Sequence, residues 1–291
     1  MPFFIFVSIS FIWSIGFYLT KIANFAFGPI TIGAIGSLGG ACVLWLFWFI
    51  KKPEWQLTKN HILPIGVVTL IGFVWPFAIT PFLVRQIGHG FIGVVVSLVP
   101  ILTMLVSIPI LKVYPSRIQL AGVLAGLFCM FLLTLDGLNR NVPLLLLVLA
   151  MITPLCYAIS NSLVQRNFQN ISTNTLVAVL MTGSGVILTP LALTYEKVTL
   201  DDNFLKALMA LIVFSIFCRG LATVLFYKLI KDKGPLFAGL ITYVIPVGVL
   251  FWSWFDHEII TTNQIIAVIV VLIIVIFVQK DILKRITYNK M

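Results

Sequence analysis

A single arginine inside an apolar run is the residue of this sequence best suited to bind a charged ligand. Arg219 lies about nine residues, or about 13 Å, from one end of a run that covers residues 204–230. A guanidinium in hydrocarbon is costly unless something compensates it, and no Asp or Glu lies inside any apolar run. A substrate carboxylate or phosphate would compensate it. The alternative is a structural arginine that donates to helix carbonyls freed by a kink.

Aromatic and polar side chains at helical spacing accompany this arginine. Trp13, Phe17 and Lys21 share one face of the first apolar run, and Tyr157 and Asn161 share one face of another. Hydrocarbon does not solvate polar groups, so these faces should turn toward the protein interior. Aromatic faces in an apolar pocket suit aromatic or aliphatic amino acids and organic cations. The residues predicted to bind a substrate are Trp13, Phe17, Lys21, Trp75, Ser97, Tyr157, Asn161, Arg219 and Tyr243.

These assignments have structural alternatives. Lys21 lies near the end of its run and could extend its ammonium into the headgroup layer instead of contacting an anion. Faces of small residues can be seams at which helices pack closely, which is our interpretation of Gly36-x-x-x-Gly40.

The sequence offers no pattern for a metal, a cofactor or a catalytic centre. Asp201-Asp202 is a lone pair in an outer loop, and Asp256-His257-Glu258 lacks a second histidine at ligand spacing, so we interpret both as solvated loop charges. His89 and His257 lie at the ends of apolar runs, and a role in proton coupling is a further alternative. The cysteines are interpreted as small buried hydrophobes inside apolar runs: Cys42, Cys129, Cys156 and Cys218.

The elements that position these residues follow from composition. The chain has 291 residues, of which 60% are hydrophobic and only 10% charged, against about 25% charged in soluble domains. Its mean hydropathy is +1.13. Each apolar run is long enough for a membrane helix, which predicts an all-α integral membrane protein with no room for a soluble catalytic domain. The ten runs are 2–23, 28–50, 61–84, 89–111, 117–135, 142–165, 172–194, 204–230, 235–255 and 263–279.

The distribution of Lys and Arg predicts the orientation. If the N-terminus is inside, 13 of these residues lie in the inner loops and the C-terminal tail, and five lie outside. By the positive-inside rule both termini are cytoplasmic. The net charge of +10 does not indicate a nucleic-acid partner, because the basic residues flank apolar runs and form no continuous face.

The chain also repeats itself at an offset of 146 residues. The offset aligns Gly88 with Gly234 and Pro100 with Pro246 without a gap. It spans five helices, and because five is odd, the second unit should be inverted relative to the first. We expect units at residues 1–140 and 141–291, which exchange roles about a central site. The cavity should lie between the first, third, fourth, sixth, eighth and ninth spans.

Motifs in both units resemble a known family. The first unit opens with Trp13-Ser14-Ile15-Gly16 and carries Lys21 eight residues after the tryptophan. The second contains Tyr227-Lys228-Leu229-Ile230, Gly234-Pro235, Tyr243-Val244-Ile245-Pro246-Val247 and Glu258-Ile259-Ile260-Thr261. These motifs are similar to those of the EamA branch of the drug/metabolite transporter superfamily, whose ten helices form two tandem five-helix units. The chain departs from that pattern at Gly36 in place of an arginine, at Leu111-Lys112 in place of Gly-Glu, and at Pro154 in place of a tryptophan.

The resemblance implies a secondary transporter of the bacterial inner membrane. We expect it to export small polar or amphiphilic metabolites, such as amino acids or related compounds, by alternating access. It would need a small-molecule substrate and a lipid bilayer but no cofactor, and a monomer is compatible with this arrangement. A flippase for a lipid-linked group and a membrane-embedded enzyme are the alternatives, and the enzyme is disfavoured because it would need clustered acids or histidines.

Overall fold

The computed structural model describes residues 2–51, 56–112, 141–239, 241–270 and 272–273, and isolated positions between 124 and 139. All regular elements in these residues are helices. We number the spans after the apolar runs in which they lie. The first four are Pro2–Ala23, Pro29–Lys51, Lys59–Ile87 and His89–Leu111. The sixth to eighth are Leu144–Asn167, Thr173–Tyr195 and Phe204–Lys233, and the ninth consists of Pro235–Gly239 and Ile241–Phe255.

Length and composition suit these helices to a bilayer. In the described residues seven helices are long and apolar enough to cross a membrane, and Val7–Ala23 is a shorter apolar helix. The all-helical, multi-spanning architecture is therefore confirmed. Most of the predicted fifth span and the tenth span beyond residue 273 lie outside the described residues, so the count of ten and the position of both termini stay predictions.

Three spans contain a segment that departs from α-helical hydrogen bonding. The third is π-helical over Leu70–Val74, the eighth is π-helical over Phe214–Leu221, and the fourth is 3-10 helical over Val96–Leu98. Pro76 and Pro100 follow two of these segments, and each proline removes a backbone donor, which favours a change of hydrogen-bond pattern. A π-helical or 3-10 segment changes which residues face a given side of the helix.

Local geometry follows the repeat that the sequence predicts. Gly88 and Gly234 both have positive φ, at 100° and 89°, and stand 146 residues apart. The same offset carries the π-helical Leu70–Val74 onto positions inside the π-helical Phe214–Leu221. Two special backbone features therefore recur at matched positions. The inversion of one unit relative to the other stays a prediction.

Glycines allow the second span to approach the eighth closely. A Cβ atom on Gly40 would lie 3.2 Å from both the Arg219 Cβ atom and the Gly220 nitrogen, and one on Gly36 would lie 3.3 Å from the Phe214 ring. The predicted packing seam at Gly36-x-x-x-Gly40 is confirmed, and it holds the second span against the π-helical segment that carries Arg219.

Candidate substrate-binding cavity

A cavity of about 130 Å³ lies among six spans. Its wall contains residues of the first, third, fourth, sixth, eighth and ninth spans, which are the spans predicted from the sequence. A single water needs about 10–15 Å³ by this measure, so the cavity has room for a small molecule. If the chain divides at residue 140, each unit contributes three spans, and the cavity lies between the units.

Arg219 is the charged residue of this wall. Its side chain is buried, at 8% exposure, and the guanidinium carbon lies 3.2 Å from the centroid of the Phe77 ring and 4.8 Å from that of Phe214. The two rings stabilise the cation through their faces, by about 0.5–2 kcal/mol each, which is comparable with the insertion cost of about 2.5–3.5 kcal/mol for such a residue. The two rings therefore offset much of the cost of keeping a charged guanidinium in the cavity wall.

The hydrogen-bond donors of Arg219 are only partly used. The Tyr157 side chain interacts with the guanidinium, whereas the buried Arg219 Nε–H has no hydrogen-bond partner among the described residues. Ring faces take up none of the N–H donors, which lie in the plane of the guanidinium. The Nε–H is thus not bonded to a helix carbonyl among the described residues.

The aromatic part of the wall is held in place by the π-helical segment. The Trp13 indole N–H donates to the Cys218 carbonyl at 3.0 Å. The Trp13 and Phe226 rings are tilted, with centroids 4.8 Å apart, and Phe73 packs edge-on against Phe77 at 5.2 Å. Aromatic pairs in such geometries are favourable, so the first, third and eighth spans present a preformed apolar surface beside Arg219.

Polar groups complete the wall. Tyr157 and Asn161 line it one turn apart on the sixth span, as their spacing indicates. Thr80 also lines it, and its hydroxyl oxygen is buried without a hydrogen-bond partner among the described residues. Sequence reasoning missed Thr80 and Phe77. Their i, i+3 spacing was the available signal, but the π-helical segment just before them hid which face of the third span turns inward.

The structure therefore brings five of the nine predicted residues to one cavity: Trp13, Phe17, Tyr157, Asn161 and Arg219. The other four lie outside its wall. Trp75 directly follows the π-helical segment, so Phe73 and Phe77 face the cavity instead. Ser97 lies in the 3-10 segment and donates to the Val94 carbonyl at 2.7 Å.

Tyr243 and Lys21 are also placed elsewhere. Tyr243 is buried in a hydrophobic cluster with residues of the fourth span, while its neighbours Thr242 and Ile245 line the cavity. Lys21 forms ion pairs with Asp256 and Glu258. The first is a direct contact, and the Lys21 Nζ to Glu258 Oε1 distance is 3.3 Å. The Lys21 ammonium is thus used by carboxylates of the protein itself, and it contacts neither the cavity, where a substrate anion would bind, nor the lipid headgroups alone.

These ion pairs correct our interpretation of the loop after the ninth span. Asp256 and Glu258 are not freely solvated loop charges, since their side chains are paired with Lys21 and are only 21% and 17% exposed. Glu258 accepts hydrogen bonds from the His89 ring at 2.6 Å and from the Gly90 amide at 2.9 Å. Burial by itself would raise the pKa of Glu258, but these donors and the Lys21 ammonium outweigh it and lower that pKa to about 2.

Comparisons with known proteins agree with this architecture. The model of the EamA-like transporter family matches residues 2–135 and 144–279. The chain is 21% identical over 268 residues to the uncharacterized transporter YoaV of Bacillus subtilis (strain 168), covering 91% of this chain and 92% of that protein. It is 23% identical over 265 residues to the S-adenosylmethionine/S-adenosylhomocysteine transporter of Chlamydia muridarum, covering 84% and 80%. The fold is also shared with a protein of known crystal structure, with a TM-score of 0.69 at 15% sequence identity. That match covers 94% of this chain and 95% of the other chain.

Proposed function

Because this chain belongs to the EamA-like transporter family, we propose that it is a secondary transporter of small amphiphilic metabolites that carry a carboxylate. It is an integral, multi-pass membrane protein, and we place it in the bacterial inner membrane. Amino acids and related compounds are the proposed substrate class, and export by alternating access is the proposed mode of transport.

The observation that carries this proposal is the state of Arg219 in the cavity. Two aromatic rings stabilise its charge, while its Nε–H lacks a partner among the described residues. A guanidinium offers donors in a planar fork that matches a carboxylate. A bound carboxylate would take up the donors that the rings leave unused, so the site favours an anionic group on the substrate.

The aromatic and polar residues of the cavity wall would contact the part of the substrate other than its carboxylate. Trp13 and Phe17 would contact an apolar or aromatic side chain, and Tyr157, Asn161 and Thr80 offer hydrogen bonds to a polar group. This combination suits an amino acid whose side chain is apolar, or a larger compound that joins an amino-acid group to a flat ring.

The name of one relative gives a specific compound to test. The Chlamydia muridarum protein is named as a transporter of S-adenosylmethionine and S-adenosylhomocysteine. Both compounds join an amino-acid carboxylate to an adenine ring, which fits an arginine beside aromatic faces. We therefore include them beside plain amino acids as candidate substrates.

The position of the cavity supports alternating access. It lies between the two proposed units, with three spans from each in its wall. Inverted repeats around a central site let a transporter expose that site to either side of the membrane in turn. The excess of Lys and Arg on one side gives the orientation but not the direction of transport, so export is tested separately, by measuring efflux from loaded vesicles.

The test is a thermal-shift screen of the purified protein followed by transport in proteoliposomes. A ligand that binds the folded state raises the melting temperature. We expect amino acids or S-adenosyl compounds to raise it, and their carboxyl-amide analogues to fail. Arg219→Leu should abolish the shift without lowering the ligand-free melting temperature, and Arg219→Lys should weaken it, because a lysine keeps the charge but loses the planar fork.

The matched control is Arg85→Leu, since Arg85 is an exposed arginine at the end of the third span. It should keep the shift of the unmodified protein. A normal shift and normal transport by Arg219→Leu would contradict the anion site. A large fall in its ligand-free melting temperature would instead favour a structural role for Arg219.

A further inference from the structure

Four charged or titratable side chains meet where three cavity-lining spans come to the same end of the protein. Lys21 comes from the first span, His89 from the start of the fourth, and Asp256 and Glu258 from the loop after the ninth. The three segments that carry them are far apart in sequence and are brought together by the fold. We call them the charge cluster.

The charge cluster ties these spans together through direct contacts. The Lys21 ammonium contacts both carboxylates, and the His89 Nδ1 atom lies 2.6 Å from Glu258 Oε1 and 3.8 Å from Asp256 Oδ2. The Tyr18 ring packs on the imidazole, with centroids 5.8 Å apart. His89 is fully buried, so the cluster fills the space between the three helices at this level.

Glu258 also caps the start of the fourth span and packs closely against Gly88 and Gly90. It accepts the backbone N–H groups of His89 and Gly90, at 3.2 and 2.9 Å, and so caps that helix from another element. A Cβ atom on Gly90 would lie 2.4 Å from the Ser253 hydroxyl and 3.1 Å from Glu258 Oε2, and one on Gly88 would lie 3.3 Å from the same carboxylate. The two glycines therefore allow the ninth-span loop to close against the fourth span.

The charge cluster stands between the cavity and one face of the protein. The cavity wall includes Phe17 and Thr20 on the first span and Val96 on the fourth. Lys21 lies one turn beyond Phe17, about 6 Å along the helix, and His89 about 10 Å beyond Val96, both toward the same face. The charge distribution of the sequence assigns this face to the outside.

A metal site is not the better interpretation of this cluster. His89, Asp256 and Glu258 present ligand atoms within 4.8 Å of one another, but the Lys21 ammonium contacts both carboxylates. It takes the place that a bound cation would need. The cluster already has its positive partner, and that partner belongs to a different helix.

The charge cluster has no counterpart at the positions that the repeat relates to it. The offset of 146 residues carries Lys21 onto Asn167, His89 onto Pro235, and Glu258 back onto Lys112. None of these positions can reproduce the pairing of a cation with a buried carboxylate. If the two units are inverted, the equivalent closure at the opposite face uses different contacts.

From these observations we propose that the charge cluster is a gate that closes one end of the cavity, and that opening this end separates Lys21 from Asp256 and Glu258. The proposal rests on the proposed function in one respect, since a gate is needed only by a protein that exposes its cavity to two sides in turn. The Lys21, Asp256 and Glu258 side chains are 31%, 21% and 17% exposed. Water can therefore reach all three, and separation need not leave a bare charge in a dry interior.

The test measures access to the cavity and needs no substrate. Thr20 lines the cavity next to the gate, so Thr20→Cys, with serine in place of the four native cysteines, serves as the reporter in proteoliposomes treated with a membrane-impermeant maleimide. Loss of a partly exposed ion pair corresponds to up to about a fivefold change in population. We expect Lys21→Met and Asp256→Asn each to raise the labelling rate about fivefold, and the swap Lys21→Glu with Asp256→Lys to bring it back toward the parent rate.

Two controls separate gate opening from general loosening. Glu196 caps the second span by accepting from the Ile30 and Thr31 amides at 2.9 and 2.7 Å, and Glu196→Gln should leave labelling within about twofold of the parent. Ser184→Cys reports a fully buried position that does not line the cavity, and its labelling should not rise in the gate variants. Unchanged labelling of Thr20→Cys, equal increases at both reporters, or an equal effect of Glu196→Gln would overturn the gate. A wrong substrate class would leave all these results intact.

Discussion

At the scale of single residues, a buried and a partly buried charge in this protein are stabilised in different ways. The Arg219 guanidinium lies over the Phe77 and Phe214 rings, and its Nε–H has no partner among the residues that the structure describes, whereas the oxygens of Glu258 accept from His89, Gly90 and Lys21. Arg219 thus keeps a donor available to the proposed substrate, whereas the Glu258 oxygens are used by contacts within the protein. The sequence could indicate the first, because an intramembrane charge without a carboxylate partner is evident from its surroundings in the chain. It could not indicate the second.

The low pKa of Glu258 predicts how stability depends on pH. Its ordinary value of 4.5 falls to about 2 in the folded protein, so the ionised carboxylate stabilises the fold above about pH 4.5, and this contribution is lost as the pH falls toward 2. The melting temperature of the parent should exceed that of Glu258→Gln above about pH 5, and the margin should narrow as the pH falls below 4.5. Thermal scans in detergent across this range check it, and a margin that is the same at pH 3 and pH 7 would contradict it.

At the scale of helices, irregular segments and close approaches decide which side chains reach the cavity. Pro81 interrupts the third span and cannot donate to the Phe77 carbonyl one turn earlier. That carbonyl packs against Gly33 of the second span, where a Cβ atom would lie only 2.6 Å from the oxygen. The contact fixes the height and rotation of Phe77, whose ring covers the Arg219 guanidinium.

This contact predicts the effect of a single methyl group. Gly33→Ala should force the second and third spans apart and destabilise the protein by about 1–3 kcal/mol, as overpacking does, with a melting temperature several degrees lower. Gly66→Ala is the matched control, because a Cβ atom there meets nothing within 4 Å and alanine favours the helix. Thermal scans of both variants test it. Equal melting temperatures for the two would show that the approach at Gly33 is not tight.

At the scale of the whole molecule, the two proposed units enclose the cavity symmetrically but close it asymmetrically. Both contribute three spans to its wall, and matched glycines and π-helical segments support the repeat. The charge cluster, by contrast, has no counterpart at the positions related by the offset. One proposed consequence is that ionic strength and pH affect the closing of the cavity at the end with the charge cluster, and not at the opposite end.

The orientation of the whole chain gives a separate prediction. Because 13 Lys and Arg residues lie on one side and five on the other, reporter fusions after Lys52 and after Lys290 should both report the cytoplasm. A fusion after Lys197 serves as the control and should report the outside. A periplasmic signal after Lys52 or Lys290 would overturn the topology and would also move the proposed gate to the cytoplasmic face.

The sequence by itself determined the all-helical membrane architecture, the six spans around the cavity and the presence of an arginine without a carboxylate partner inside a span. These depend on hydropathy, span length and the lack of a partner within the chain's apolar runs, which are local properties. Only the tertiary structure decided which faces turn inward, because π-helical and 3-10 segments rotate the spans, so that Thr80 and Phe77 line the cavity and Trp75 and Ser97 do not. It also decided the role of Lys21, whose partners Asp256 and Glu258 lie at the other end of the chain. A pairing between such distant residues is set by helix packing, and spacing along the sequence carries no record of it.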